Sequence, residues 1–508
     1  MQFRMHDKIV KHSNLAAFLL GAVSVTAFAP WHYIICAFIG FSGLMWLTTK
    51  TVNAKKLFML GYWFGFALFA CGFSWIGNAL LIEPEKFGWL YPVAFVGLGG
   101  FFGLFVAVPL WCTRFGVMWW QKWLIFAASF VFGEWLRSFV FTGFPWNLTG
   151  YTLAFSDELV QAASLGGSYL LSLLAILSYT IFGFCFGTKN IKRYFAASVF
   201  SALIFAGLYL YGYIRLKYTV LEETETLVRL VQPSIPQTMK WSESVREENF
   251  AKYIDLSGQN AEKVPDFIVW GETASPFLLD QDENQVKKLV PLLKKGSYLL
   301  AGAVSYHYNE GRYLPHNSML VLNSEAKTVD YYHKSHLVPF GEYIPFRKYL
   351  PKFVQPVANA IGTFGKGDGP KVIKVGNLPS FGAIICYEAI FPAEVVDKNN
   401  RPDFLVNLTN DGWYGDSSGP YQHWVATKMR AVEEGISIVR VANNGISGVV
   451  DAVGRVKNMM PLNYVGFMDI NIDKPLGYKT LYSVWKNKLI LMFCLILSIL
   501  GIIRVKRV

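Results

Sequence analysis

The sequence predicts a multi-span α-helical membrane domain joined to an α/β domain, and three observations predict it. Hydrophobic residues make up 53% of the 508 positions and charged residues only 16%, a balance that fits membrane spans plus a soluble part better than one soluble globule. Apolar stretches of membrane-crossing length recur through the first 214 residues and once more near the C-terminus. After Tyr218 the composition changes, and short apolar runs alternate with polar, helix-length segments, the pattern of a layered α/β domain.

About 20 apolar helical residues cross a hydrocarbon core. On that measure spans are expected near 14–29, 31–48, 57–80, 90–112, 118–140, 168–187, 194–214 and 488–503, about eight transmembrane helices in all. The first two are short and tightly joined, as in a helical hairpin. Arg4, Lys8 and Lys11 precede an apolar run that ends in Ala27-Phe28-Ala29, which has the outline of a signal peptide. Pro30 follows directly and a second apolar run starts at once, so a retained first span is expected.

The formal charge of +12 raises the question of nucleic acid. No RNP, zinc-finger or helix-turn-helix pattern accompanies it, and no nucleic-acid partner is expected. The excess instead flanks apolar segments. With the N-terminus in the cytoplasm, the inner segments carry Arg4, Lys8 and Lys11; Lys50, Lys55 and Lys56; Arg114 and Lys122; Lys189, Lys192 and Arg193; and Arg504, Lys506 and Arg507. The short outer connections carry Lys86 beside Glu83 and Glu85, with Asp157 and Glu158. That asymmetry follows the positive-inside rule. Arg215, Lys217, Lys486 and Lys488 fall on the outer flanks, against the rule. The expected organisation is transmembrane helices 1–7 in 1–214, an extracytoplasmic catalytic domain in 215–487, and helix 8 with a cytoplasmic tail in 488–508. Glu134 and Arg137 lie three apart on the fifth span, as an ion pair locking the bundle would. The apolar loop 141–167, broken by Pro and Gly, reads as interfacial or re-entrant.

In the α/β part, runs at 227–231, 267–270, 298–304, 318–322, 381–386 and 404–408 read as strands. Several are continuously apolar, as strands covered on both faces are. Segments 243–261, 281–295, 389–399 and 420–434 read as helices. Pro345, Pro351, Pro356, Gly362, Gly365, Gly367 and Gly369 mark a long irregular stretch that also holds Phe346, Tyr349, Leu350, Phe353, Val354 and Ile361. Such a stretch is either a lipid-touching lid or a loop packed on its own domain.

Of six cysteines, Cys36, Cys71, Cys112, Cys185 and Cys494 lie in or beside apolar spans, where cysteine serves as a small hydrophobe. Cys386 stands alone in the outer domain, so no disulfide can form within it, and a solitary thiol in an oxidising compartment is a candidate reactive group. It lies where the buried strand Gly382-Ala383-Ile384-Ile385 turns into polar sequence, and catalytic groups of α/β domains sit at such strand ends. A thiol nucleophile needs a base and a partner for the oxyanion. Phe267-Ile268-Val269-Trp270-Gly271-Glu272 offers a carboxylate after a buried strand, and Tyr331-Tyr332-His333-Lys334 a lysine after another apolar-aromatic run. Taken singly, Glu272 reads equally as a helix cap and Lys334 as a solvated side chain.

Glu272, Lys334 and Cys386 in that order resemble the Glu-Lys-Cys triad of the nitrilase superfamily. The strings WGETASPF, HKSHLVPFGEYIPF and ICYEAIFP closely resemble those of the apolipoprotein N-acyltransferase family, its membrane-embedded members, and the resemblance covers nearly the whole chain. It implies a nitrilase-like αββα sandwich in the bacterial inner membrane, with the catalytic domain periplasmic. It implies Glu272 as general base, Cys386 as nucleophile and Lys334 as oxyanion stabiliser, helped by the backbone N–H of Tyr387. Glu342 matches a further carboxylate of the family, Tyr387 and Glu388 match residues beside the nucleophile, and Trp241 matches a tryptophan near the substrate path. The implied partners are a phospholipid acyl donor and a diacylglyceryl apolipoprotein acceptor, both membrane lipid-borne, and the implied chemistry is ping-pong transfer through a thioester.

No cofactor is expected: the G-x-x-x-x-G-K-[ST] run of nucleotide sites is missing, and a thioester conserves much of the ester's energy. No metal is expected either, since His333 and His336 lack ligands at zinc spacing. Two other readings stand beside this one. A membrane-tethered amidase would use the same triad on small amides. A transporter would need ionisable residues along several spans, where Glu134 and Arg137 are nearly alone.

Overall fold

The computed structural model describes residues 12–186, 188, 190–259, 264–309, 312–350, 356–357, 362–397 and 399–503. Arg4, Lys8, Lys11, Lys189, Arg504, Lys506 and Arg507 of the charge pattern lie outside these residues, as do Pro351, Phe353, Val354 and Ile361 of the irregular stretch. The chain divides into two compact units, Met1–Tyr218 with Thr480–Val508, and Thr219–Lys479.

The first unit is helical: α1 (Ser13–Ser24), α2 (Ile34–Thr48), α3 (Ala54–Gly72), α4 (Tyr91–Cys112), α5 (Trp119–Leu136), α6 (Ala163–Thr180), α7 (Ile191–Tyr218) and a C-terminal helix Lys488–Ile502. Among the described residues, four helical stretches are long and apolar enough to cross a membrane: Ala54–Gly72, Pro84–Phe115, Ala163–Phe184 and Ile191–Tyr218. Ser13–Ala27, Ile34–Thr48 and Lys488–Ile502 are shorter; fifteen helical residues span only about 22 Å of a core of about 30 Å. The 57–80 run is two pieces, α3 ending at Gly72 and a 3-10 segment Ser74–Leu81. Small residues bring helices together, as in membranes where packing replaces the hydrophobic effect. A Cβ on Gly61 of α3 would meet the Val106 carbonyl oxygen of α4 at 2.7 Å.

Glu134 of α5 and Arg137, which caps the C-terminus of that helix, are both buried and both grip the following loop. Glu134 Oε1 accepts from Thr149 N at 2.7 Å and Thr149 Oγ1 at 2.8 Å. Arg137 Nη1 donates to Phe144 O at 3.1 Å and Trp146 O at 2.7 Å. The pair therefore pins Phe144–Thr149 to the bundle, which satisfies backbone groups that hydrocarbon cannot.

The second unit holds two six-stranded sheets. The strands are β1 (Glu223–Gln232), β2 (Phe267–Trp270), β3 (Tyr298–Asn309), β4 (Arg312–Leu322), β5 (Thr328–His333), β6 (Val372–Ile373), β7 (Phe381–Ile385), β8 (Phe404–Thr409), β9 (Ser437–Ala442), β10 (Ser447–Val450), β11 (Val456–Met460) and β12 (Gly466–Asp473). One sheet runs β12-β1-β2-β3-β4-β5 and the other β11-β10-β9-β8-β7-β6. At the heart of each lies a parallel trio, β1-β2-β3 and β7-β8-β9.

Side-chain alternation explains the continuous apolar runs. Phe267 and Val269 point into the layer between the sheets with Phe381, Ala383, Ile385, Phe404 and Val406. Ile268 and Trp270 point the other way, onto Phe250, Tyr253 and Leu256 of helix α8 (Arg246–Gly258). Ile384 and Leu405 face Trp424 and Ala431 of helix α9 (Gly419–Glu434). The unit is thus an αββα sandwich. Central strands such as β2 and β7 are apolar on both faces because both are covered. The outer strands β5 and β11 carry exposed polar residues. Each fully buried large apolar side chain contributes roughly 1.5–3 kcal/mol.

Two expected helices are corrected. Segment 389–399 forms only the end of a 3-10 turn, Cys386–Ile390, followed by bends. Pro392 disfavours helical Phe391, and Ala393 adopts φ 73°. Segment 281–295 is cut down to the short helix Glu283–Lys287 and a 3-10 turn Val290–Leu292, where Pro291 removes an N–H donor. In the described part of the irregular stretch, Phe346 and Tyr349 are exposed while Phe364 is buried.

Candidate active site

Three strand ends converge on one buried cluster. Glu272 follows β2, Lys334 follows β5 and Cys386 follows β7, with exposures of 6%, 1% and 5%. Close packing sets the first turn: a Cβ on Gly302 of β3 would lie 2.0 Å from the Gly271 carbonyl oxygen and 2.8 Å from Glu272 Cα. A second strained turn carries the thiol. Cys386 has φ 50°, a left-handed conformation that non-glycine residues rarely adopt and that clusters at functional sites. Strict alternation would send Cys386 towards the helix-covered face, opposite Ile385. The turn returns it to the same inter-sheet layer as Ile385.

Lys334 Nζ lies 3.2 Å from Glu272 Oε1 and 3.0 Å from Glu342 Oε1. Asn317 of β4 repeats that bridge, donating from Nδ2 to Glu272 Oε1 at 2.7 Å and Glu342 Oε1 at 2.9 Å. Its backbone carbonyl accepts from Lys334 N at 2.8 Å. Glu342 Oε2 accepts from Val338 N at 2.7 Å, which folds the 338–342 loop back on itself. Glu272 Oε2 is buried, and the Cys386 thiol is among the groups that help hold the negative charge of this carboxylate. Tyr414 Oη lies 4.0 Å from Cys386 Sγ.

Charge in the cluster is organised by these contacts. Burial opposes ionisation of Glu272, but Lys334, the Asn317 amide, Lys240 and the thiol outweigh it and hold the carboxyl below its usual range. Burial likewise opposes the Lys334 ammonium, and Glu272, Glu342 and Cys386 overcome it, holding Lys334 above its ordinary range. The Cys386 thiol is pushed up to about 12, first by burial and then by Glu272 and Asp411, against the pull of Lys334 and Thr409. The resting pair is therefore thiol and carboxylate, and a free thiolate does not accumulate. Any reaction through the Cys386 sulfur would need a neighbouring base to take its proton.

Glu388 does not join the charged cluster. Its Oε1 accepts from Tyr332 Oη at 2.8 Å, Ser335 N and Oγ at 2.7 Å, and His336 N at 3.1 Å. Oε2 accepts from Ile385 N at 2.6 Å. Glu388 thus ties the segment after Lys334 to the turn that carries Cys386. Glu388→Gln places an NH₂ against one of these donor sets whichever way the amide turns. We expect a loss of about 1–3 kcal/mol, read as a lower thermal midpoint in detergent, and slower turnover from a loosened site. Tyr387 is buried, its ring against His336 and Phe391. Trp241 packs on the apolar cluster of Val304, Leu337 and Phe364.

Groups that sequence reasoning missed also stand here. Besides Asn317, the Cys386 turn is held from below: His423 Nε2 lies 3.1 Å from the Cys386 carbonyl oxygen and its Nδ1 lies 2.9 Å from Asp411 Oδ1. Asp411 in turn accepts from Arg440 Nη2 at 2.8 Å. Asp411 follows the buried strand β8, the same strand-end signal that singled out Cys386. Nothing in the local sequence marks Asn317 or His423.

The sequence matches known proteins over most of its length. The family model described as apolipoprotein N-acyltransferase N-terminal domain matches residues 20–181, and carbon-nitrogen hydrolase matches 227–473. The apolipoprotein N-acyltransferase of Brucella melitensis is 36% identical over 484 residues, covering 91% of this chain and 90% of that protein. That of Rickettsia prowazekii is 36% identical over 499 residues, 97% of each. The chain belongs to the apolipoprotein N-acyltransferase family. Among solved structures, an amidase from Nesterenkonia sp. aligns over 50% of this chain and 92% of its own, at 15% identity and a TM-score of 0.36. Within this family member, the carbon-nitrogen hydrolase region contains Glu272, Lys334 and Cys386 together with Trp241, Glu342, Tyr387 and Glu388.

Proposed function

We propose that this chain moves an acyl chain from a membrane phospholipid to the N-terminal α-amine of an S-diacylglyceryl-cysteine apolipoprotein, through a thioester on Cys386, completing lipoprotein maturation. Family membership supports acyl transfer to lipoproteins. The observation that carries the mechanism is the meeting of Glu272, Lys334 and Cys386 in one buried cluster.

In the first half-reaction Cys386 Sγ attacks the ester carbonyl as Glu272 takes the thiol proton. Lys334 and the backbone N–H of Tyr387 face the oxyanion. The C–O bond breaks, and Glu272 returns the proton to the departing lysophospholipid oxygen. In the second, the neutral α-amine attacks the thioester, a C–N bond replaces C–S, and the amine proton passes through Glu272 to the thiolate. Glu342 holds Lys334, Glu388 holds the nucleophile turn, and Trp241 borders the acyl path. Ping-pong kinetics follow from the covalent intermediate.

In this reading eight transmembrane helices anchor the protein in a bacterial inner membrane, both termini are cytoplasmic and residues 215–487 form the periplasmic catalytic domain. The positive-inside pattern and the apolar helices support it. External protease should then cut within 215–487 in right-side-out vesicles and leave it intact in inside-out vesicles.

A transfer assay tests the reaction. With phospholipid and a diacylglyceryl-cysteine peptide, lysophospholipid and N-acyl peptide should appear one for one, and soluble amides should release no ammonia. Ammonia release without need for lipid would instead indicate the membrane-tethered amidase.

A further inference from the structure

We propose that Lys240 is a positioning residue for the Glu272–Cys386 pair: it braces the turn that carries Glu272 and supplies a second buried positive charge beside the reacting groups. The inference rests on the thioester reading above and adds to it a residue that no triad contains.

Lys240 is only 3% exposed. Its Nζ donates to the Glu272 carbonyl oxygen at 2.8 Å and to Thr273 Oγ1 at 2.9 Å. Both acceptors are neutral, so no carboxylate touches this ammonium through a hydrogen bond at these positions. A buried lysine is costly unless something nearby uses its charge. The two acceptors flank a strained point, since Thr273, a β-branched residue, has φ 45°. Lys240 thus fastens both sides of the turn from which the Glu272 side chain projects.

Charge balance gives the second half of the role. Glu272 and Glu342 bring two negative charges and Lys334 one positive. Asp411, which also acts on Cys386, is matched by Arg440. Without Lys240 the cluster carries a net negative charge in a buried site, which opposes a thiolate forming there. With Lys240 charged it is neutral, before and after the proton moves from Cys386 to Glu272. The groups acting on Glu272 come from several elements: Lys334 after β5, Asn317 on β4, Lys240 ahead of α8 and Cys386 after β7. Of these, Lys240 is the second positive charge. Burial lowers Lys240 to about 8, against the pull of Glu272 and Cys386, so its charge is present at neutral pH and fades on the alkaline side.

The test is single-turnover acylation of Cys386, followed by intact mass across about pH 3 to 9 with full-length protein in mixed micelles of phosphatidylethanolamine and phosphatidylglycerol. Lys240→Met should slow acylation at least about tenfold and move the acidic limb of the profile up by about one pH unit, because Glu272 loses a stabilising cation. An unchanged rate and limb in K240M overturns the proposal, and so does a rate loss with an unshifted limb, which bracing alone would produce. Should K240M lose its thermal unfolding transition, Lys240→Arg decides. Retention of the wild-type limb supports the charge role, and an upward-shifted limb overturns it. No adduct on wild-type protein would refute the thioester reading itself, a result distinct from any of these.

Discussion

Cys386→Ala is expected to abolish acyl transfer, with a loss of roughly 10⁴-fold or more, as removal of a covalent nucleophile does elsewhere. The protein should remain folded, because the side chain is small and replacement by alanine leaves a modest cavity. Phospholipid should still bind, and no lysophospholipid should be released. Cys386→Ser is the more discriminating companion. Its hydroxyl is a poorer nucleophile, in a site where even the thiol is held up to about 12 by burial, Glu272 and Asp411. Serine at this position is therefore expected to be nearly as inactive as alanine, measured as lysophospholipid released per enzyme in a single turnover.

Glu272→Gln has the second largest expected effect. It removes the proposed base and leaves Lys334 with Glu342 as its carboxylate partner. General-base loss costs about 10²–10⁴-fold, and here acylation and deacylation should both slow, since both proton transfers pass through Glu272. The sign of the pH dependence follows from the folded carboxyl lying below its usual range. A depressed pKa contributes stability above the unfolded value, about 4.3 for glutamate, and that contribution is lost as pH falls through the folded value. Wild-type activity should fall over the same acidic window as Glu272 takes up a proton. Glu272→Gln should lack that limb, which a pH series of single-turnover rates will read directly.

Much of the architecture was legible because burial leaves a plain mark on sequence. β2 and β7 are apolar at every position since one face meets the other sheet and the next meets a helix. β9 escaped notice for the opposite reason. Its Arg440 is charged yet fully buried, satisfied by Asp411 and by Asn407 at 2.8 Å, partners far apart in the chain. The helix expected at 389–399 failed at Pro392, where local backbone sterics outweighed composition. Length misled in the helical unit, where apolar runs near 57–80 end in 3-10 turns that hydropathy does not distinguish from helix.

The site divides the same way. Glu272, Lys334 and Cys386 stand at strand ends, where a change from apolar to polar sequence announces them. Asn317 sits inside a strand and gains its place only by facing two carboxylates at once. Glu388 was singled out by resemblance, but its five hydrogen bonds to three segments are a property of the fold alone. Lys240 lay one residue from the tryptophan that drew attention, and its burial against Glu272 depends on a turn that no local pattern encodes.

The most direct measurement is the mass of the intact protein after incubation with a phospholipid of defined acyl chain, without acceptor. An increase equal to that acyl group, located on Cys386, removed by neutral hydroxylamine and discharged onto an added diacylglyceryl-cysteine peptide, is the expected result. No increase in wild-type protein, or an equal increase in Cys386→Ala, would contradict a thioester intermediate.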